Sequence, residues 1–417
     1  MQRSTCSAFV HSRVLSQRML RWVAALAAAS WGLGYASTAH AAPVLVLHGN
    51  GQITVRNDPP TLALTPKPPP AYRSRTTRAA AAAASRTVPS ELARLRRLHR
   101  ISNATYQKYM GSFNAAANAV RRLGGTPRRE LQAVINNLYH MAAGGSLTPN
   151  RLPVLFLTLD RNRQWWSSGR VPGDGDIVGF AGSAIDWEYY PGQGLELQPL
   201  ATFGKAQWWF AHGRQYYSKG RSLMSEMIPL ASRRAGGLTW EYYFYFDGGV
   251  PPWTSAMSQG TALQALGDGY TAVGDRSYLS LGASALPVFT MSPSRGVGVR
   301  TSLGIRYVQY TFDPSRSDEI INAFLQALIG MGTFAQVSGN HLAQQLFNAG
   351  NAEAKAELPS FDTGRWSLYQ PGQLDSLSYH QLVTGFLQKL CSMTHAQVYC
   401  TTASHFQAYM NHPPPGV

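Results

Sequence analysis

The 417-residue sequence is short of long hydrophobic runs, and the one it has lies at the N-terminus. Arg13, Arg18 and Arg21 precede the apolar stretch WVAALAAASWGLGYA, and AHA at 39–41 follows it. The stretch has about 15 residues, fewer than the ~20 that a membrane-spanning helix needs. We therefore predict a signal peptide over residues 1–41 rather than a membrane anchor, which indicates a secreted or extracytoplasmic protein without an integral membrane segment.

Cysteine is equally scarce, with 3 in the chain. Cys6 lies in the predicted signal peptide, so the exported chain would keep Cys391 and Cys400. Because oxidising compartments favour disulfides over free thiols, we predict a bond between this pair. Two buried free thiols are the alternative.

Motifs of several large enzyme classes are absent. The sequence contains no G-x-S-x-G elbow, no P-loop and no dinucleotide fingerprint. Four histidines of the C-terminal region are too scattered to form a metal pattern: His341, His380, His395 and His405. We therefore predict neither a cofactor nor a metal ion.

Acidic residues are few, with 21 Asp and Glu against 37 Lys and Arg, and the net charge is +16. Arginines crowd the first third of the chain, at Arg73, Arg75, Arg78, Arg86, Arg94, Arg96, Arg97, Arg100, Arg121, Arg122, Arg128 and Arg129. A field of this sign attracts polyanions. In a secreted protein we expect an acidic polysaccharide rather than a nucleic acid, and the alternative is a basic tail without a specific ligand.

Composition and periodicity divide the N-terminal half of the exported chain. Residues 42–88 are rich in Pro, Ala, Thr and Arg and lack an apolar period, which predicts a disordered linker. Residues 89–145 carry three helical patterns. Residues 146–250 predict a mixed module, with strands at LPVLFLTLD, DIVGFAG and LTWEYYFYFDGG and helices at GLELQPLATFGKAQWWFAHG and RSLMSEMIPLASRR.

Residues 251–412 are predicted to be helical. Helices are expected at about 254–274, 276–290, 317–335, 339–352, 376–391 and 400–410. Small residues at Ala256 and Gly260 would let two helix backbones approach closely. Helical hairpins in series close naturally into a bundle or an (α/α) toroid, and a toroid leaves a cleft at one end. The predicted fold class is therefore α+β, mainly α: an (α/α) barrel or toroid preceded by a small β-rich module and N-terminal helices.

Polar and aromatic residues concentrate in LPSFDTGRWSLYQPGQLDSLSYHQL, residues 358–382. Asp362 and its neighbours predict a turn that aims Tyr369 into the cleft, with Asp362 in a structural role. Tyr379 begins the next helix beside His380, and such loop-to-helix junctions commonly present reactive side chains. The alternative is that Tyr379 packs in the core with its hydroxyl satisfied.

A tyrosine-lined cleft suits proton abstraction from a carbon next to a carboxylate. That reaction needs a base and a group that offsets the charge of the enolate. Epimerisation needs a second proton donor on the opposite face, whereas a lyase needs an acid near the leaving oxygen. Tyrosine serves in either role if its pKa of about 10 is lowered or if its phenol is used as the acid.

Five C-terminal segments resemble those of D-glucuronyl C5-epimerases, which turn D-glucuronate into L-iduronate within heparosan-type chains. The segments are WTSAMSQG, FTMSPSRGVGV, RYVQYTFDPSRSDEIINAFLQALIGM, LPSFDTGRWSLY and SYHQLV. The resemblance covers about 253–409 and implies a β-rich module before an (α/α) barrel. It also implies that Tyr369 and Tyr379 are the catalytic acid–base pair and that Tyr310 and Asn322 contact the substrate. The family suggests a homodimer and an anionic, uronate-containing polysaccharide as the partner.

Two positions depart from the family pattern. The Glu that typically precedes the match of Tyr310 is Gln309 here, which cannot take a proton and is expected to contact the substrate. An Arg three residues after the match of Tyr369 is replaced by Gly372. Substitutes for the missing positive charge are Arg365, His380 and Arg306. The prediction is an isomerase that acts at C5 of uronic acid residues; the alternatives are a lyase using the same cleft and a non-catalytic glycan-binding relative.

Overall fold

The computed structural model describes residues 42–59, 86–312 and 319–417. The predicted signal peptide and residues 60–85 of the predicted linker lie outside this part of the chain. Within it, no helix is long and apolar enough to cross a membrane. The buried apolar side chains form one cluster that extends from Leu47 to Phe406, so the described helices and sheets share a core.

A five-stranded sheet forms the β-rich part of the structure. Strand β1 (Ala42–Leu47) pairs antiparallel with β2 (Ile53–Asp58) and parallel with β3 (Ile177–Phe180). Strands β4 (Trp187–Tyr190) and β5 (Gly194–Leu197) continue the sheet, whose order is β2-β1-β3-β4-β5. DIVGFAG is therefore a strand, as predicted.

The predicted linker over 42–88 is wrong for residues 42–58, which supply two of these strands. Val44 and Val46 are buried on β1. The alternation of apolar residues along β1 is short, and the Pro, Ala and Arg that follow it dominate the composition of residues 42–88. A fully buried lysine secures the end of β2, because Lys205 Nζ donates to Asp58 at 2.8 Å and to Asp186 at 2.5 Å.

Three helices follow, as predicted: α1 (Val88–Arg97), α2 (Asn103–Arg122) and α3 (Gly125–Ala143). Thr87 caps α1 and Ser102 caps α2, each by accepting a hydrogen bond from a backbone N–H of the first turn. These caps satisfy amides that have no partner within the helix.

The next element, α4 (Leu152–Trp166), corrects the strand predicted at LPVLFLTLD. Leu152, Leu155 and Leu159 recur at helical spacing, and all three are buried. A short apolar run does not by itself distinguish a strand from a buried helix. Pro153 in the first turn favours the helix, since its fixed φ suits that position.

The remaining elements of the mixed module also differ from the prediction. Helix α5 (Pro199–Ala211) begins late, because the first residues of the predicted helix form β5. Helix α6 (Tyr217–Met227) ends early, because β6 (Ser232–Arg234) turns back to pair with β7 (Gly237–Thr239). Beyond β7, the predicted strand LTWEYYFYFDGG continues only as isolated bridges within the described chain.

The C-terminal helices are confirmed with shifted ends. They are α7 (Ala256–Val273), α8 (Ser277–Ala285), α9 (Pro287–Thr290), α10 (Ile321–Ser338), α11 (His341–Glu357), α12 (Leu377–Thr394) and α13 (Gln397–Tyr409). Two hairpins interrupt them: β8 (Gly298–Arg300) with β9 (Ile305–Tyr307), and β10 (Leu368–Gln370) with β11 (Gln373–Leu374). The mainly helical α+β class is confirmed, whereas closure of the helices into a toroid stays a prediction.

Helices α7 and α10 touch through their backbones. A Cβ on Gly260 would lie 2.6 Å from Cα of Ala327, and a Cβ on Gly330 would overlap the carbonyl oxygen of Gly260. Only glycine permits this distance, so the close approach predicted at Gly260 is confirmed. Gln259 lies beside the contact and donates from Nε2 to the Leu238 carbonyl at 2.9 Å.

The predicted disulfide joins α12 to α13. Cys391 and Cys400 are bonded, with Cα atoms 4.9 Å apart and a sequence separation of 9. For a loop of this length, the chain-entropy model gives a stabilisation of about 2.5 kcal/mol. The bond holds the two C-terminal helices in register.

Candidate functional site

The FDTG segment forms a hydrogen-bonded turn. Asp362 Oδ1 accepts from the backbone N–H of Gly364 at 2.9 Å, and Gly364 adopts a φ of +79°. Thr363 Oγ1 accepts from the N–H of Trp366 at 2.9 Å and donates to its carbonyl at 2.7 Å. Two side chains of α13 also bond to Asp362. The structural role predicted for Asp362 is therefore confirmed.

His380 lies in the core. Its ring stacks on Trp366 with centroids 3.7 Å apart, Nδ1 lies 2.7 Å from Ser367 Oγ, and Nε2 lies 2.8 Å from the Phe406 carbonyl oxygen. Both ring nitrogens are thus engaged, so the predicted role of His380 in substrate binding is wrong. Arg365 is exposed on the turn, and its contact with a substrate stays a prediction.

Tyr310, Tyr369 and Tyr379 come together from three separate elements. Tyr369 lies in β10 and Tyr379 in the first turn of α12, and their ring centroids are 5.2 Å apart at 66°. Tyr310 lies close enough to interact electrostatically with both phenols. It is held by rings at centroid distances of 5.7, 5.4 and 4.9 Å, which belong to Phe246, Trp253 and Phe312.

Burial favours the protonated form of the Tyr310 and Tyr379 phenols. It raises the pKa of Tyr310 well above its usual range, and the neighbouring Tyr369 adds to the shift. Burial also raises the pKa of Tyr379, with further contributions from Tyr310, Asp375 and Glu188. At neutral pH the phenols are therefore hydrogen-bond donors and acids, and one of them becomes a base only if a neighbouring group takes its proton.

Two buried amides adjoin this region of the sequence. Gln309 is 7% exposed and Asn322, in the first turn of α10, is 1% exposed. Among the described residues, Gln309 Oε1 and both polar side-chain atoms of Asn322 lack a hydrogen-bond partner. Buried amides are usually satisfied, so these groups are suited to bind a polar ligand.

Gly372, which stands where the family has an arginine, meets a conformational requirement of the backbone. Gly372 lies in the turn between β10 and β11 and adopts a φ of +80°. Side-chain-bearing residues rarely adopt this conformation. The turn, rather than the loss of a charge alone, therefore accounts for glycine at this position.

Glu188 was not identified from the sequence. It lies on β4 at 4% exposure, and its Oε2 accepts from Gln198 Nε2 at 2.7 Å. Gln198 also bonds to the phenol oxygens of Tyr190 and Tyr242, each at 3.0 Å. The charge of Glu188 contributes to the raised pKa of Tyr379, as noted above. The signal available was an acidic residue inside the aromatic strand WEYY, about 190 positions before Tyr379 in the chain.

No group of three or more potential metal ligands occurs in residues 42–59, 86–312 and 319–417. The site of the described chain is therefore a cluster of phenols and amides with a carboxylate. It is suited to moving protons and to donating hydrogen bonds to an oxyanion.

Known proteins resemble the C-terminal part of the chain. An uncharacterized protein of Methanocaldococcus jannaschii is 28% identical over 168 residues, which cover 37% of this chain and 54% of that protein. The D-glucuronyl C5-epimerase of Caenorhabditis elegans is 28% identical over 181 residues, which cover 38% of this chain and 29% of that protein. The matches thus span about half or less of these relatives.

Among solved structures, a sugar epimerase from a ruminal bacterium aligns with a TM-score of 0.35 at 14% identity, covering 52% of this chain and 62% of that one. A similarity of this size defines neither fold nor activity. Residues 236–408 match the family described as the D-glucuronyl C5-epimerase C-terminus. This match and the similarity to the Caenorhabditis elegans enzyme confirm the family resemblance that the five C-terminal segments predicted for this part of the chain.

Proposed function

We propose that the chain is an epimerase that inverts C5 of uronic acid residues in an anionic polysaccharide, from the D-glucuronate to the L-iduronate configuration. The observation that carries the proposal is the convergence of Tyr310, Tyr369 and Tyr379 with Glu188 in a domain of this family. In the proposed architecture the C-terminal helices close as an (α/α) barrel, and the tyrosine cluster lies in its cleft.

The proposed reaction begins at Tyr379. Its phenol oxygen takes the C5 proton while its own proton passes to the carboxylate of Glu188. The electron pair of the C5–H bond moves toward C6 and forms an enolate with the substrate carboxylate. Tyr369 then gives its phenolic proton to the opposite face of C5, and the proton on Glu188 returns through solvent to Tyr369. Protons and electrons balance, and only the configuration changes.

The enolate needs donors that are already in position. Tyr310 supplies a neutral phenol, because burial raises its pKa. Gln309 and Asn322 supply buried amides whose unpartnered atoms would gain hydrogen bonds to the sugar. In this proposal Gln309 binds the substrate, and Glu188 provides the carboxylate that Gln309 lacks.

The basic N-terminal region would bring the polymer to the site. Exposed arginines occur on or next to α1, α2 and α3: Arg97, Arg100, Arg121, Arg122, Arg128 and Arg129. Attraction between exposed charges falls as salt is added, because the screening length is about 10 Å at 0.1 M. Secretion and homodimer formation are also part of the proposal, and both follow from the sequence analysis alone.

Hydrogen exchange at C5 tests the proposal. Residues 42–417 would be incubated with heparosan and other uronate polymers in heavy water, with NMR detection of deuterium at C5 and ultraviolet detection of unsaturated products. Deuterium at C5 in an intact chain supports the epimerase. An unsaturated product replaces the proposal with a lyase, and binding without either signal leaves the glycan-binding alternative, which Gln309 and Gly372 favour.

Conservative variants link the exchange to the cluster. Tyr369→Phe and Tyr379→Phe should each abolish exchange and retain polymer binding. Tyr399→Phe is the matched control, because this buried tyrosine donates to Asn351 at 2.8 Å, outside the cluster. Equal losses in all three variants would indicate a packing effect.

A further inference from the structure

A buried chain of three polar side chains lies beside the tyrosine cluster. Asp375 Oδ2 is 2.5 Å from Ser367 Oγ, which is 2.7 Å from His380 Nδ1. His380 Nε2 is 2.8 Å from the carbonyl oxygen of Phe406. Asp375, Ser367 and His380 are all buried, so bulk water does not reach the chain.

Counting hydrogens shows that this chain holds more than the hydroxyl proton. A carbonyl oxygen only accepts, so Nε2 of His380 carries a hydrogen and Nδ1 of the neutral ring accepts one. Ser367 has a single hydroxyl hydrogen. The backbone N–H of Ser367 also donates to Nδ1, at the longer distance of 3.3 Å. If Asp375 were ionised, the hydroxyl hydrogen could serve either Asp375 or His380. Turned toward Asp375, it would leave lone pairs of Oγ and Nδ1 facing each other at 2.7 Å, and turned toward His380, it would leave lone pairs of Oγ and Oδ2 facing each other at 2.5 Å. A second proton must therefore lie in the chain.

The surroundings place this proton on Asp375. Burial raises the pKa of Asp375 to about 7, and burial lowers the pKa of His380. Among the described residues, Asp375 Oδ1 has no hydrogen-bond partner that would stabilise a negative charge. The titratable groups that face the chain from neighbouring elements are Tyr379 of α12, Asp362 of the turn, and His405 and Tyr409 of α13.

The hydrogen-bonded side chains of Asp375, Ser367 and His380 connect the segments that carry both tyrosines. Ser367 precedes β10 and Tyr369, whereas Asp375 follows β11 and His380 adjoins Tyr379. The backbone N–H of Asp375 donates to the Ser367 carbonyl at 3.0 Å, which closes the hairpin. A change in the Ser367–Asp375 contact therefore acts on the placement of both phenols.

We propose that Asp375, Ser367 and His380 share one proton that positions Tyr369 and Tyr379, and that loss of this proton loosens the hairpin between them. The catalytic consequence rests on the proposed function, whereas the proton chain does not. Asp375 is a positioning residue here, since it acts through the two phenols.

The sign of the pH effect follows from the raised pKa of Asp375. The folded protein keeps the proton up to a pH of about 7, whereas an unfolded Asp loses it near pH 4. The contribution to stability is therefore complete below pH 4, declines between pH 4 and 7, and is lost above that range. Any activity that depends on the hairpin should decline on the alkaline side of the same transition.

Asp375→Asn tests the proposed shared proton, because the asparagine amide N–H donates to Ser367 at every pH. Thermal unfolding of the variant and of the wild type would be compared from pH 5 to 9. The melting temperature of the variant relative to the wild type should rise with pH by on the order of 3–5 °C. Parallel curves would overturn the proposal, because a purely structural substitution shifts stability equally at every pH.

Asp268→Asn is the matched control. Burial raises the pKa of Asp268 to about 6, and Gln207 on α5 donates to its carboxylate at 3.1 Å. This variant should also change the pH dependence of unfolding, but it should leave the nitrogen-15 NMR signals of His380 unchanged. Asp375→Asn should remove the pH response of those signals between pH 5 and 9.

If Asp375→Asn fails to fold, the nitrogen-15 NMR signals of His380 in the wild-type protein test the proposal. Wild-type His380 should be neutral, with hydrogen on Nε2 from pH 5 to 8, and its signals should shift as Asp375 titrates near pH 7. An imidazolium, or signals that do not change with pH, would overturn the proposal. A confirmed proton chain without C5 exchange on any polymer would refute the proposed function alone.

Discussion

Glu188→Gln removes a negative charge from the tyrosine cluster while conserving the shape of the side chain. Glu188 is 4% exposed and its Oε2 accepts from Gln198 Nε2 at 2.7 Å. A glutamine oxygen can accept the same bond from Gln198. The free energy of unfolding should therefore change by no more than about 1 kcal/mol.

The effect on turnover should be much larger. Removing a residue that accepts a proton in the rate-limiting step lowers rates by about 10²–10⁴-fold, which raises the barrier by about 3–5 kcal/mol. Because the charge of Glu188 contributes to the raised pKa of Tyr379, the variant should also lower that pKa toward its usual range. Exchange of deuterium into C5, followed by NMR at saturating polymer, measures the rate.

Glu196→Gln is the control for this prediction. Glu196 lies directly opposite Glu188 on the neighbouring strand and is 3% exposed. Burial raises the pKa of Glu196 well above its usual range, which favours the neutral carboxyl, and glutamine resembles that neutral form. Glu196→Gln should retain exchange within about threefold, a barrier change under 1 kcal/mol. A folded Glu188→Gln protein that exchanges as fast as the wild type would refute the role of Glu188.

Three further predictions concern packing, the disulfide and the departure from the family. Gly330→Ala should lower the free energy of unfolding in urea by about 1–3 kcal/mol, because its Cβ overlaps Gly260 and separates α7 from α10; an unchanged midpoint would contradict the backbone contact. Replacing Cys391 and Cys400 by serine should cost about 2.5 kcal/mol, and dithiothreitol should destabilise the wild type but not the variant. Gln309→Glu places a carboxylate where the family has one, so the rate of C5 exchange should rise at pH 8. The buried charge should lower the stability of the variant. Slower exchange in a folded variant would show that the amide itself is required.

The success of the fold prediction depended on local signals. Helices α1 and α2 carry capping residues and an apolar period within one segment, which are independent of the rest of the chain. Most residues of the helix at LPVLFLTLD and all residues of the strand at GLEL are buried, so neither segment has a solvent-exposed polar face that would define its period. Their secondary structure depends on the neighbours that pack against them.

The candidate site divides in the same way. The turn around Asp362 is local, because its side chain bonds to the backbone two residues later, and the sequence predicted it correctly. His380 was misassigned, since nothing in SYHQLV reveals that Trp366 covers its ring and that α13 takes its Nε2 hydrogen. Glu188 was missed, because only the sheet brings β4 near a helix that begins about 190 positions later in the chain.

The sequence by itself determined the elements whose energetics are local or covalent: capped helices, the FDTG turn, the Cys391–Cys400 pair and the motifs of the family. The tertiary structure alone decided which buried polar groups meet, and therefore which of them are neutral, paired or able to accept a proton. Protonation depends on burial and on charges a few ångströms away. Those distances are set by the packing of β4, the β10–β11 hairpin and α12, which no single segment encodes.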